Sequence, residues 1–143
     1  MYSSSIENLK ASAWHPFNKA AKEDLLKVIP HLPGVYVIRW HESFKRFIGE
    51  TDIAYIGCAT SKGGRRKGLN RRLNGYLTTS QRRLTSYRVM KRVEEIGNFE
   101  IAYIVCDSDN GAIEKESDLL RIFEREHAEL PPFNRQGSKR EKG

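Results

Sequence analysis

Hydrophobic residues along this chain gather in three short, nearly continuous runs and follow helical spacing in most of the segments between them. Gly34-Val35-Tyr36-Val37-Ile38-Arg39-Trp40 is entered through Pro30 and Pro33, and Ile53-Ala54-Tyr55-Ile56-Gly57-Cys58-Ala59 follows it. Both are rich in β-branched and aromatic residues and are expected to be buried or half-buried strands. The linker from His41 to Asp52 carries Gly49 and polar residues, which suits a loose hairpin. Phe99 to Cys106 is expected to be a third strand. Before the first strand, Trp14, Phe17, Ala20, Ala21, Leu25 and Val28 have rough helical spacing, so one or two short helices are expected to end before Pro30. Trp14 and Phe17 read as plain packing onto the domain.

The remaining periodic segments are helical. Leu69, Leu73, Tyr76 and Leu77 share one face, which puts Arg72 on its rim and Arg71 in solvent. A second helix is expected from Leu84 to Ile96, with Tyr87, Met90 and Val93 inward and Gly97 closing it. A long helix starts in the turn Asp107–Gly111, with Asp109 or Asn110 as cap, and runs to about Leu130. Its apolar face is Ile113, Leu119, Leu120, Phe123, His127 and Leu130. Glu116 falls in the middle of that face, a position that costs free energy unless the carboxylate is paired or bound to a cation. A structural salt bridge, for example to Arg72, is the plainer reading. The helix stops at Pro131-Pro132, and Asn134 can cap or cross-link by side-chain hydrogen bonds.

The element order is therefore β-β-α-α-β-α, an α+β chain. A helical extension is expected over 1–30, one domain over 31–135 and a disordered basic tail over 136–143. The 143 residues suffice for one core. No run of about 20 apolar residues is present to span a membrane, and no secretory signal opens the chain. Two cysteines, Cys58 and Cys106, read as small buried thiols in a reducing compartment, hence a cytoplasmic location, nucleoid-associated if the source is bacterial. His15, His31, His41 and His127 are scattered, which argues against a structural zinc site.

Charge adds the strongest hint of a partner. The formal charge is +7, yet Ser61 to Val93 holds eleven basic residues and no acidic one, leaving the rest of the chain at −4. Solvated faces mix signs, so this segregation favours a polyanion, DNA first. Within it, Thr60 to Gly68 sets three glycines among Lys62, Arg65, Arg66 and Lys67, a loop whose backbone can approach phosphates closely. Arg71, Arg88, Lys91 and Arg92 are the further expected nucleic-acid contacts. An anionic membrane surface fits less well, since the stretch lacks a wide apolar face.

Gly34-Val35-Tyr36, Tyr55-Ile56-Gly57, Arg72 with Tyr76 one turn later, Glu116 before Leu119-Leu120, and Pro131-Pro132-Phe133-Asn134 together resemble a GIY-YIG endonuclease domain. The local wording is nearest to the nuclease domain of the bacterial excision-repair incision protein. The resemblance implies a small central antiparallel three-stranded sheet flanked by helices. It implies that Tyr55 or Tyr36 takes the proton of the attacking water and that Arg72 stabilises charge on the phosphate. Tyr76 would lie near the phosphate. Glu116 would hold one divalent cation, Mg²⁺ or Mn²⁺, and Asn134 would position the site. Gly57 would let backbone approach beside Tyr55, and Gly34 would serve structurally. Three features depart from the family: a longer loop between Gly57 and Arg72, Cys58 where some relatives carry a lysine, and a longer final helix. The function expected is a metal-dependent DNA endonuclease. The alternative is a non-catalytic nucleic-acid-binding module, or a nuclease subunit that needs a protein partner or a second copy of itself for targeting.

Overall fold

The computed structural model describes residues 12–61, 68–78 and 84–134, the side chains of Leu84 and Thr85 apart. Among them the elements are β1 (His15–Pro16), a 3-10 turn (Lys19–Ala21), α1 (Lys22–Val28), β2 (Gly34–Lys45), β3 (Glu50–Ala59), α2 (Gly68–Leu77), α3 (Leu84–Ile96), β4 (Phe99–Val105) and α4 (Asp109–His127). The basic loop residues Lys62, Arg65, Arg66 and Lys67, and the tail expected at 136–143, lie outside the described residues.

The fold is α+β, but the sheet has four antiparallel strands, not the three expected, in the order β1-β4-β2-β3. The extra strand comes from the segment expected to be helical. His15 and Pro16 pair with Ile101 and Glu100, flanked by bonds from Ser12 N to Tyr103 O (2.8 Å) and from Phe17 N to Phe99 O (2.9 Å). Pro16 explains the difference: it biases His15 toward extended backbone and needs no partner for its own nitrogen, which suits the edge of a sheet. Trp14 and Phe17 pack as expected, Phe17 completely. Helix forms only from Lys22, and Ile29 rather than Val28 is buried.

Hairpin β2–β3 is longer and tighter than expected, pairing as far as Lys45 with Glu50. The pairing steps from Ile38–Tyr55 to Arg39–Ile53, so Ala54 is an extra residue, a bulge that bends the strand immediately before Tyr55. Gly34 pairs with both Ala59 and Val105. A Cβ there would lie 2.3 Å from Ile104 O, so no larger residue fits the centre of the sheet.

Two cores result, one on each face of the sheet. Tyr36, Ile38, Tyr55 and Ile101 pack with Leu25, Leu69, Leu73, Tyr76, Val89, Met90 and Val93 from α1–α3. Val35, Val37, Ile53 and Ile56 pack with Leu119 and Phe123 of α4, joined by Trp14, Cys58, Cys106 and Leu120. Helix α2 buries Leu69, Leu73, Tyr76 and Leu77 as its spacing requires. Helix α3 differs in detail: Ser86 and Val89 are buried beside Met90 and Val93, while Tyr87 is half-buried. Gly97 closes it in a left-handed turn (φ 83°), as expected. On α4 the N-cap is Ser108, not Asp109 or Asn110, and Ser108 Oγ accepts from Gly111 N at 2.9 Å. The helix ends at His127 with Ala128 left-handed, and Ala112 takes the buried position expected of Ile113, which is 44 % exposed. None of the helices among the described residues is long and apolar enough to cross a membrane.

Candidate active site

Tyr36 of β2, Tyr55 of β3 and Tyr76 of α2 bring their rings together. The ring centres are 5.8 Å apart for Tyr36–Tyr76, 6.1 Å for Tyr36–Tyr55 and 6.4 Å for Tyr55–Tyr76. The Tyr36 and Tyr76 hydroxyls share a hydrogen bond of 2.9 Å. Register explains the cluster. Tyr36 is paired with Gly57 across the hairpin, and its ring lies over that glycine. A Cβ on Gly57 would be 2.6 Å from the Tyr36 hydroxyl and 2.8 Å from the Tyr55 ring. The close approach expected at Gly57 is thus made above all by the Tyr36 ring.

Arg72 closes the group. Its Nε donates to the Tyr36 hydroxyl at 3.3 Å, and the guanidinium carbon lies 6.0 Å from the Tyr76 ring centre. Arg72 is half-buried and Arg71 exposed, the split that their positions on the α2 wheel require. Burial pushes the Tyr36, Tyr55 and Tyr76 hydroxyls above the ordinary tyrosine value, and the nearby Arg72 charge opposes that only in part. Removal from water therefore outweighs one cation, and all three remain phenols at neutral pH. The guanidinium is held charged, chiefly by Tyr36.

Glu116 lies on the other face of the sheet. It is half-buried on α4, on the side of the sheet where Cys58 packs, and its charge raises both the Cys58 thiol and Tyr55. Burial, then the Glu116 carboxylate, push that thiol up to about 12. Since β3 is an edge strand, the two halves meet around it: Arg72 and the tyrosines on one side, Cys58 and Glu116 on the other. Asn134 sits on the edge itself. Its Oδ1 accepts from Ile56 N and its Nδ2 donates to Ile56 O, both at 3.0 Å. Phe133 N donates to Ala54 O at 2.8 Å. These bonds occupy the backbone of Ala54 and Ile56 as a neighbouring strand would.

The remaining basic residues divide. Arg88, Lys91 and Arg92 are exposed on α3. Arg92 lies 5.9 Å from the Phe133 ring centre, beside the Asn134 edge. Lys91 instead meets Glu95 at 4.0 Å and lines a shallow cavity of about 320 Å³ with Lys19, Tyr87, Met90, Glu94 and Glu95.

One clamp escaped the sequence. Asp109 accepts from Ser61 N at 2.7 Å and from Ser61 Oγ at 3.0 and 3.1 Å, tying the end of β3 to the start of α4. The signal was present: Asp109 precedes Glu116 by seven residues, two helical turns, and so shares its face.

Among the described residues no three His, Cys, Asp or Glu side chains converge. A cation here would rest on Glu116, with water and phosphate completing the sphere, which suits Mg²⁺. No protein-family model matches the sequence, and no curated protein matches it.

Proposed function

We propose that this chain is a divalent-metal-dependent endonuclease of the GIY-YIG type, hydrolysing DNA phosphodiester bonds. The observation that carries the reading is the meeting of a half-buried guanidinium, three phenol hydroxyls and a half-buried carboxylate around one edge strand. A guanidinium beside phenols can hold a phosphate oxygen and stabilise the charge that builds on it in the transition state. Tyr55 is the proton acceptor in this reading, because it is 7 % exposed where Tyr36 and Tyr76 are wholly buried, so water reaches it first. Its phenolate is scarce at neutral pH, and the rate draws on that small fraction. Glu116 would hold Mg²⁺ or Mn²⁺, which when bound polarises the scissile phosphate and steadies the leaving oxygen. The exposed Arg71, Arg88 and Arg92 attract the DNA backbone.

The non-catalytic reading draws on the complete burial of Tyr36 and Tyr76, which lets them serve as core alone. Cleavage of plasmid, duplex, flap and branched DNA separates the two, run with Mg²⁺, Mn²⁺ or EDTA beside Glu116→Gln. Metal-dependent nicking that the variant loses, with DNA affinity equal or higher, is the expected result. Binding without any cleavage by the unaltered chain overturns the claim that it cuts alone.

A further inference from the structure

We propose that the outer half of the β2–β3 hairpin, together with Phe133, is a stacking platform for unpaired bases, so that the chain prefers DNA carrying a single-stranded segment beside the duplex. The proposal rests on the reading that DNA meets the Tyr55–Arg72 edge, and it names the form of that DNA.

Trp40 and Phe44 extend the face of β2 that carries Tyr36 and Ile38, but past Ile38 the cover thins and both rings are half-buried, as is Phe133. The ring centres are 4.7 Å apart for Trp40–Phe44 and 5.8 Å for Phe44–Phe133. Hydrogen bonds fix the two ends of this row. Trp40 Nε1 donates to Gly97 O at 3.1 Å, and Phe133 N donates to Ala54 O at 2.8 Å. The hairpin then closes in a turn that holds Phe47 81 % exposed. That turn is pinned to the end of α4. Ile48 N donates to His127 O at 3.1 Å, His127 Nδ1 to Ile48 O at 2.8 Å and Arg46 Nη1 to Leu130 O at 2.9 Å. A phenylalanine left in water adds nothing to the core, and the pinned turn keeps it from folding inward.

Charge and position choose the partner. The Arg92 guanidinium lies 5.9 Å from the Phe133 ring centre, and exposed Arg88 shares its helix. Beside Phe47, Glu129 is already paired with Arg46 at 3.1 Å. Rings interleaved with cations suit a single strand, whose bases stack on rings and guanidinium planes while its phosphates meet the charge. A duplex keeps its bases stacked on one another and has no face to offer the rings. The platform also continues from the proposed site. The bond from Phe133 N to Ala54 O falls one residue from Tyr55, and Phe44 pairs with Thr51, four residues before Tyr55. Phe44 therefore lies about 13 Å from Tyr55 along β3, with Phe47 up to about 10 Å beyond. A strand leaving the site covers that path with about six nucleotides at the duplex spacing of about 3.4 Å, and with fewer when extended.

The test is fluorescence anisotropy of the full chain at fixed salt in EDTA, which reads affinity without cleavage. The probes are a blunt duplex and the same duplex with an overhang of about six thymidines. The overhang should tighten binding at least about fivefold, the effect of one stacked base. Phe47→Ala should remove most of that gain and leave duplex affinity unchanged. Its side chain is exposed, so the fold is spared. Photo-crosslinking of 5-iodouracil in the overhang to the unaltered chain, mapped by mass spectrometry, is independent of any variant. Adducts at Trp40, Phe44, Phe47 or Phe133 are expected. Equal affinity for the two probes, adducts only elsewhere, or a preference that survives Phe47→Ala overturns the proposal. A sedimentation mass that falls in Phe47→Ala while the preference survives gives the tip to a second copy of the chain instead. Overhang preference in EDTA without cleavage in Mg²⁺ keeps the platform and removes the nuclease. Metal-dependent cleavage with equal affinity for both probes does the reverse.

Discussion

The hydroxyl of Tyr36 sits 2.9 Å from that of Tyr76 and accepts a hydrogen bond from Arg72 Nε at 3.3 Å, with both tyrosines completely buried. A polar cluster sealed in this way is tied to pH. All three tyrosines of the cluster, Tyr55 included, ionise above the ordinary value of 10.0, first because burial penalises the phenolate. The folded chain thus keeps protons that the unfolded chain would release. The stability this contributes is complete below about pH 10 and is lost as pH rises through the folded values. The urea midpoint should stay level from pH 8 to about 9.5 and then fall, each buried phenol adding up to about 1.4 kcal/mol per pH unit. Tyr36→Phe should make the alkaline fall shallower. A midpoint that declines identically in the two proteins would discount the cluster as its cause.

The same burial governs catalysis in the proposed reaction. If the Tyr55 phenolate is the base, the single-turnover rate should climb about tenfold per pH unit between pH 7 and 9. Tyr55→Phe should lose that slope together with most of the rate, while DNA affinity holds. A flat profile would assign the proton to another acceptor.

Arg72 is suited to its place by shape as well as charge. Its Nε reaches the Tyr36 hydroxyl while the rest of the guanidinium stays half-buried beside Tyr76. A lysine ammonium is compact and more strongly hydrated, and it cannot reproduce that geometry. Arg72→Lys should lower the cleavage rate by about 10²-fold or more, with DNA affinity changed by less than about threefold. Fixed-salt binding and single-turnover cleavage on one substrate give both numbers. A lysine variant that cuts at the original rate would reduce Arg72 to a source of positive potential.

Gly57 makes a prediction about packing alone. A methyl group there would press on the Tyr36 hydroxyl at 2.6 Å and on the Tyr55 ring at 2.8 Å. Both rings are enclosed, so neither can swing clear cheaply. Gly57→Ala should cost about 1–3 kcal/mol in chemical denaturation and disturb the near-ultraviolet circular dichroism of the tyrosines. Gly75, where an added Cβ meets nothing within 4 Å, is the control, and Ala there should stabilise α2 by about 0.5–1 kcal/mol.

How far the sequence led depended on how local each feature was. The α2 wheel separated half-buried Arg72 from exposed Arg71, because 3.6-residue spacing is a property of adjacent residues. Glu116 stood out as a carboxylate amid apolar neighbours for the same reason. The pairing of Tyr36 with Gly57 was beyond reach, since hairpin register depends on the tight turn at 46–49, on the irregularity that sets residues 40–43 against Asp52 alone, and on the extra residue Ala54. The N-terminal segment misled because Trp14, Phe17 and Ala20 fit a helix as well as a strand, and what settled it was the free edge of β4, a tertiary fact. The sequence singled out Cys58 as a buried thiol and a departure from the family. Its packing against the core that holds Leu119 and Phe123 of α4 needed the relative placement of β3 and α4.

Asn134 offers a test of the edge on which both halves of the site depend. Its amide is used twice on Ile56, accepting from N and donating to O at 3.0 Å each, and Ile56 lies between Tyr55 and Gly57. Asn134→Ala removes both bonds and should cost about 1–3 kcal/mol. Asn134→Asp separates donor from acceptor. A carboxylate still accepts from Ile56 N, but it offers no proton to Ile56 O and opposes that carbonyl with negative charge. At pH 7 the aspartate variant should therefore be no more stable than the alanine variant, whereas near pH 3 a protonated carboxyl can make both bonds again. The aspartate variant should then gain on the alanine variant as pH falls, by up to about 1 kcal/mol. Equal pH dependence in the two would show that shape at position 134, and not paired hydrogen bonding, holds the Tyr55–Gly57 edge.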